Sequence, residues 1–464
     1  MTLIAADATR SRALGLTGIC LGFLVITLDA TIVNVALGPI GADLGGALPA
    51  AQWIVNGYTL TFASLLLSAG VLADHVGSRT GFLIGLAIFA LGSAACAGAG
   101  SLTVLIVARV VQGAGAAALM PCSLALVALS FPEAHDRRRA LGLWGGASGI
   151  GLAAGPVLGG VLVAALGWRA IFLVNVPIAA AAALLLVRHV DETRRHAHPL
   201  DVPGQLLAVA GLASLTGGFI TTGSQGWGAT LTVALLVAGI AIAGAFVIVE
   251  RSVAHPMVDP LLFRERTFST AVAIGTVFNF CLYGAIFCLA VYLHRAQGLD
   301  ALHTGLALLP MTAVTGTMAF LSGRLVSRVG EWRAIVVGLT AGTAGALLIS
   351  LEAPGASTTA LIPSTVLLGV TALAMPAMTA LALSRAPRDR VGLTSGVFNA
   401  SRQTGGALGV AVLGALLVSD GSSVSLRAAF MATAAAYATG VALALSGHRR
   451  ERVGSLASAT SPGL

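Results

Sequence analysis

Charge is the scarcest property of this chain: only 9% of its 464 residues are Asp, Glu, Lys or Arg, against about a quarter in an ordinary soluble domain. That shortage excludes a water-exposed globular surface. Together with 57% hydrophobic residues and a mean hydropathy of +0.93, it describes an all-α polytopic membrane protein. Lysine is missing altogether. The 26 basic residues are all arginine, and nearly all of them fall between apolar runs, so the formal charge of +8 reads as membrane topology and not as a nucleic-acid surface. Cysteine is sparse as well: Cys20, Cys96, Cys122, Cys281 and Cys288 lie inside apolar runs with no CxxC pair and no His at ligand spacing. Neither a disulfide framework nor a metal site is expected. There is no P-loop, no HExxH and no stretch for a soluble domain, and glycine-rich segments such as GLAAGPVLGG sit inside apolar runs, so neither an enzyme nor a cofactor is expected. Without a nucleotide site, the expected energy source is an ion gradient. The first apolar run has no AxA-type cleavage site and is expected to stay as an anchor.

What the chain does contain is fourteen apolar runs of spanning length, at roughly 15–39, 51–72, 80–99, 102–130, 141–164, 170–188, 204–224, 229–250, 268–293, 303–326, 334–351, 358–384, 391–418 and 427–446. If the N-terminus is cytoplasmic, the loops on that side carry 21 arginines and the opposite loops only Arg169, Arg295 and Arg427. A bias of that size predicts a multi-pass protein of the cell (inner) membrane with both termini in the cytoplasm.

An internal repeat accounts for most of the count. GVLADHVG at Gly70–Gly77 returns as GRLVSRVG at Gly323–Gly330, ALMP ending at Pro121 returns as LAMP ending at Pro376, and GPVLGG from Gly155 returns as GGALGV from Gly405. Two six-span halves, 1–190 and 266–447, are thus predicted, separated by a linker and an inserted two-helix hairpin (191–265) and followed by a cytoplasmic tail (448–464). Two-half transporters bind substrate where the halves meet.

Three charges stand inside spans. Asp29 lies near the middle of the first, where an ionised carboxylate is costly and is kept mainly to handle protons, ions or substrate; a structural carboxyl satisfied by a neighbour is the alternative. Arg109 lies about two turns into the fourth span. Since Arg does not shed its proton, it must find an acceptor, and Asp29 is the only carboxylate well inside any span; snorkelling to the interface is the alternative. Arg402, followed by Gln403, can bind an anionic group of substrate or brace helices, and the sequence favours neither. Gly151, Gly155 and Gly159 recur every fourth residue and offer one helix face for close packing, beside Pro156.

These residues also carry a family resemblance along the whole chain. GxLADxxGxR appears as Gly70, Leu72, Ala73, Asp74, Gly77 and Arg79, and RxxQGxG as Arg109, Gln112, Gly113 and Gly115. The fifth span has Gly142, Gly151, Gly155, Pro156, Gly159 and Gly160 at the spacing of the antiporter motif, and LDxTIVNVAL runs from Leu28 to Leu37, with its proline displaced by one residue to Pro39. The chain resembles the fourteen-span drug:proton antiporters of the major facilitator superfamily. That resemblance implies two six-helix bundles plus two inserted helices, and alternating-access export of an amphipathic drug or antibiotic in exchange for protons. It implies proton coupling at Asp29 and Arg109 and a conformational latch at Gly70, Asp74, Gly77 and Arg79, with Asp74 docking near Val391–Leu393. The antiporter glycines would seal the outer path. Asn34, Tyr58, Gln112, Asn279, Asn399 and Arg402 are assigned to the substrate cavity. Expected partners are a small neutral or monocationic substrate, protons and lipid, with no nucleic acid, and the protein is expected to be a monomer. Export of one endogenous metabolite or self-made antibiotic is the rival function; a non-transporting sensor or scaffold would need none of these groups together.

Overall fold

The computed structural model describes residues 2–46, 48–192, 201–352, 357–384, 391–417 and 423–459. Among them there is no strand. The first six long helices are α1 (Arg10–Leu44), α2 (Leu48–Val76), α3 (Ser78–Ala97), α4 (Leu102–Ser130), α5 (Ala134–Leu166) and α6 (Ala170–His189). A hairpin follows, α7 (Val202–Gln225) and α8 (Thr230–Ser252). The last six are α9 (Arg266–Arg295), α10 (Ala301–Val329), α11 (Glu331–Glu352), α12 (Ile362–Ser384), α13 (Val391–Leu416) and α14 (Ser423–Ala459). Thirteen of these are long and apolar enough to cross a membrane. The remaining one, α13, has the length, but Asn399, Arg402 and Gln403 interrupt its apolar character.

Several helices overrun the apolar limits read from sequence. α5 starts at Ala134 and, at 33 residues, extends about 50 Å, well beyond the roughly 30 Å of a hydrocarbon core. α1, predicted to end at 39, continues to Leu44. A 3-10 turn at Val33–Ala36 precedes Pro39; proline offers no N–H to the turn before it, and the tighter winding carries the helix through.

The packing repeats as the sequence does. In the first half α5 and α6 lie on α1, α4 lies on α2 and α3, and α6 also touches α3; in the second, α13 and α14 lie on α9, α12 lies on α10 and α11, and α14 also touches α11. The halves meet along two seams, α2 with α13 and α5 with α10. Lipid supplies no hydrophobic drive between spans, so close approach over small residues has to supply the attraction.

The hairpin is asymmetric. α8 packs on α7 and has only 11% of its apolar window buried, against 78% for α9. α7 instead covers the α2–α13 seam: Leu212 closes a small apolar cluster with Leu60 and Ala63 of α2, with Leu408 of α13 against it, and Gln205 Nε2 donates to the Ser64 carbonyl at 2.9 Å. The hairpin is therefore peripheral in its second helix only. Leu212→Ala is expected to lower stability by about 1–2 kcal/mol through lost packing, whereas Ile240→Ala, at a position 67% exposed on α8, should stay within about 0.5 kcal/mol; thermal unfolding of the purified variants checks both.

Candidate functional site

Four helices of the first half converge on Asp29. It is fully buried, and both carboxylate oxygens are occupied: Arg109 Nη1 donates to Oδ2 at 2.5 Å, while Gln112 Nε2 and Asn175 Nδ2 each donate to Oδ1 at 2.8 Å. Arg109 and Gln112 stand one turn apart on α4, so a single face presents both the cation and the amide. Arg109 Nη1 also donates to Gln112 Oε1 at 2.7 Å, and its Nε to the Ile54 carbonyl of α2 at 3.1 Å. Ser93 of α3 accepts from both Gln112 and Asn175 and donates to the Phe172 carbonyl at 2.8 Å. Arg109 therefore does not snorkel. A buried ion pair with this many hydrogen bonds is costly to break by removing one partner, about 3–5 kcal/mol.

Tyr58 forms the wall between this network and the space between the halves. The Arg109 guanidinium lies 4.4 Å from the centre of its ring, its hydroxyl donates to the Ile26 carbonyl at 3.2 Å, and the residue lines a central cavity of about 70 Å³. Both halves contribute to that cavity; Asn279, Asn399 and Arg402 line it from the second. Of the six residues assigned to the cavity, Tyr58, Asn279, Asn399 and Arg402 line it, Gln112 belongs to the Asp29 network, and Asn34 lies elsewhere. Asn34 borders a separate pocket of about 230 Å³ on the side of the α1–α2 turn, together with Ile54, Leu102 and His294.

The glycines of α5 divide by position. A Cβ at Gly151 would meet the Leu24 carbonyl at 2.6 Å, one at Gly155 would overlap Thr31 Oγ1 and approach the Ile32 amide to 3.0 Å, and one at Gly159 would meet the Ile32 carbonyl at 2.9 Å. This face is pressed onto α1 at the level of Asp29. Gly160 faces the other way, where a Cβ would meet the Ala301 carbonyl across the seam at 2.8 Å, and a Cβ at Gly305 of α10 would overlap the Pro156 carbonyl. Gln52 of α2 donates to the Val410 and Ala411 carbonyls of α13 at 3.2 and 3.1 Å, so both seams are shut on the side of the α1–α2 turn. Towards the opposite side, Gly142, Gly145 and Gly146 of α5 and Gly323 of α10 face open space.

In the turn between α2 and α3, Gly77 adopts φ +94°, in the left-handed region where a side chain is strained. Glu192, beyond α6, accepts from the Arg79 and Thr80 amides at 3.1 and 3.0 Å, placing an anion at the N-terminus of α3, and Arg79 Nη2 donates to the Val187 carbonyl at 2.8 Å. Gly70 packs on Pro121 of α4. The side chains of Asp74 and Val391 lie outside what the structure describes, and so does the docking expected between them. Glu192→Ala should cost about 1 kcal/mol, the usual worth of a helix-start acceptor, read as a lower melting temperature.

Sequence reasoning had not singled out Asn175, Ser93 and Glu192. The first two are polar residues deep in apolar runs, a signal that was present; Glu192 sits in a charged linker, where nothing local distinguishes it.

A two-halved helical bundle with a buried ion pair beside a central cavity defines a membrane transporter. The chain belongs to the Major Facilitator Superfamily, whose model matches residues 19–410. It is 37% identical to the Methylenomycin A resistance protein of Streptomyces coelicolor over 434 residues, 92% of this chain and 90% of that protein. With the Multidrug resistance protein Stp of Mycobacterium tuberculosis it shares 38% identity over 410 residues, 88% of this chain and 76% of that one. Among solved structures, a bacterial homologue of the human lysosomal transporter Spinster superposes with a TM-score of 0.68 at 17% identity, covering 95% of this chain and 97% of that one, a likeness of fold.

Proposed function

We propose that the protein is a proton-coupled antiporter of the cell membrane, with both termini cytoplasmic, exporting amphipathic drugs or antibiotics by alternating access of its two halves. One observation carries this: a fully buried Asp29 is paired with Arg109, whose guanidinium lies on the ring of Tyr58, a residue that lines the inter-half cavity. Resistance is the stated role of the relatives that match most of the chain. With the termini inside, the seams are shut towards the exterior and the α5–α10 seam is slack towards the cytoplasm. A drug-sized ligand needs a few hundred Å³, so the central cavity of about 70 Å³ must widen as the halves rock.

The ion pair supplies the coupling. Protonation of Asp29 from the exterior removes the counter-charge of Arg109; the guanidinium then has reason to move, and Tyr58, stacked on it, moves the cavity wall. Substrate arriving from the cytoplasm pushes the same wall back and favours the ionised pair, releasing the proton inward. Ile54 both accepts from Arg109 and lines the exterior pocket, giving the proton a short way in. For a neutral substrate one charge enters per cycle, contributing about 2.3 kcal/mol at 100 mV, or roughly fifty-fold accumulation. The protein works as a monomer surrounded by lipid, since the pair, the cavity and both seams come from one chain. The test is uptake of a panel of dyes and antibiotics into inverted vesicles, with and without a protonophore. Proton-dependent uptake of several compounds is expected; uptake of only one points to a dedicated exporter, and uptake insensitive to the protonophore removes proton coupling.

A further inference from the structure

Arg402 is the second intramembrane cation, and it is treated quite differently from the first. Arg109 is neutralised by Asp29. Arg402, on α13, has no carboxylate within ion-pair distance among the described residues. Among the described residues its one hydrogen bond runs from Nη2 to Asn279 Oδ1 on α9 at 3.3 Å, and its buried Nε finds no acceptor there. Both residues line the central cavity, and among the described residues of its wall there is no Asp or Glu. Asp29 cannot stand in, because it is buried behind Tyr58 with both oxygens occupied.

A guanidinium taken out of water must recover its lost hydration from an acceptor, best from a planar oxyanion that meets its N–H groups in pairs. Nothing among the described residues meets that demand at Arg402. We propose, building on the export function proposed above, that the acceptor is the substrate: an amphipathic organic monoanion whose carboxylate binds Arg402 while its apolar body lies against Phe23, Phe62, Phe278 and Met375. Asn279 holds the guanidinium in place and keeps one N–H side free. The preference runs against the neutral or monocationic substrate expected from sequence, since the cavity gives a cation no counter-charge. Exchanging one such anion for one proton moves two charges per cycle where a neutral substrate moves one.

The test is binding to the purified full-length protein of three probes with one ring system: naphthalene-1-carboxylate, naphthalene-1-carboxamide and 1-naphthylmethylammonium. The carboxylate is expected to bind roughly tenfold or more tighter than the amide, the size of one charge-assisted hydrogen bond, and the ammonium weakest. In Arg402→Gln the ratio of carboxylate to amide affinity should fall towards one; in Arg402→Lys, which keeps the charge without the fork, part of it should remain, so the outcome does not hang on one variant folding. Equal or tighter binding of the amide or the ammonium, no binding of the carboxylate at millimolar concentration, or an undiminished ratio in Arg402→Gln each overturns the assignment. Proteoliposomes with an imposed pH gradient separate the two proposals. Probes that bind selectively but are not driven by the gradient would remove the export function and leave the anion site, whereas gradient-driven transport without charge preference would do the reverse.

Discussion

Asp29→Asn is expected to abolish uphill export while leaving substrate binding and passive exchange measurable. Asn keeps the size of the side chain and can still accept from Gln112, Asn175 or Arg109 in place of the carboxylate, but it has no acidic proton to take up and release. Among the described residues no other carboxylate lies in the Asp29 network or on the cavity wall, so none of them is placed to substitute. The variant should be less stable by roughly 3 kcal/mol, because Arg109 is left buried without its counter-ion; it should still fold, since under the proposed coupling the parent itself passes through a state with a neutral residue 29. Asp29→Glu keeps the charge and should keep some coupling. The check is gradient-driven accumulation in inverted vesicles beside counterflow without a gradient: loss of the first with survival of the second is the expected pair.

Gly155→Val should be the most damaging change on α5. Even a methyl at this position overlaps Thr31 on α1, and Thr31 Oγ1 lies 3.3 Å from the Leu152 carbonyl as a bond between the two helices. A branched side chain must push α1 and α5 apart beside Asp29, costing about 1–3 kcal/mol or more in overpacking and displacing the carboxylate from Arg109. Transport should fall at least tenfold with a clear drop in melting temperature. Gly142→Val is the comparison: a Cβ there meets no neighbouring heavy atom within 4 Å, so export should remain near the parent level. If Gly142→Val were the worse of the two, the packing role assigned to Gly155 would be wrong.

Much of this was legible in the sequence for simple reasons. Spans follow from composition, the two-half arrangement follows from repeated segments such as those at Gly70 and Gly323, and the Asp29–Arg109 pair follows because two opposite charges in an apolar medium have few other partners. Helix ends were less legible: hydropathy marks where lipid contact stops, whereas backbone hydrogen bonding continues, and so α5 reaches back to Ala134. Residues whose role depends on a distant partner were not legible at all. Asn175 matters because α6 sets it against α1, and Leu212 because α7 covers a seam. Asn34 and Asn279 are both amides inside spans, but Asn34 lies near the end of its run and Asn279 near the middle, and the structure sends the first to the exterior pocket and the second to the central cavity.

The measurement closest to the central claim is substrate-evoked proton release from purified protein in weakly buffered detergent, compared between parent and Asp29→Asn at matched substrate occupancy. Release from the parent that tracks occupancy and is absent from Asp29→Asn is the predicted result. Release of full amplitude from Asp29→Asn would place the exchanged proton on another group and contradict the assignment of coupling to the buried pair.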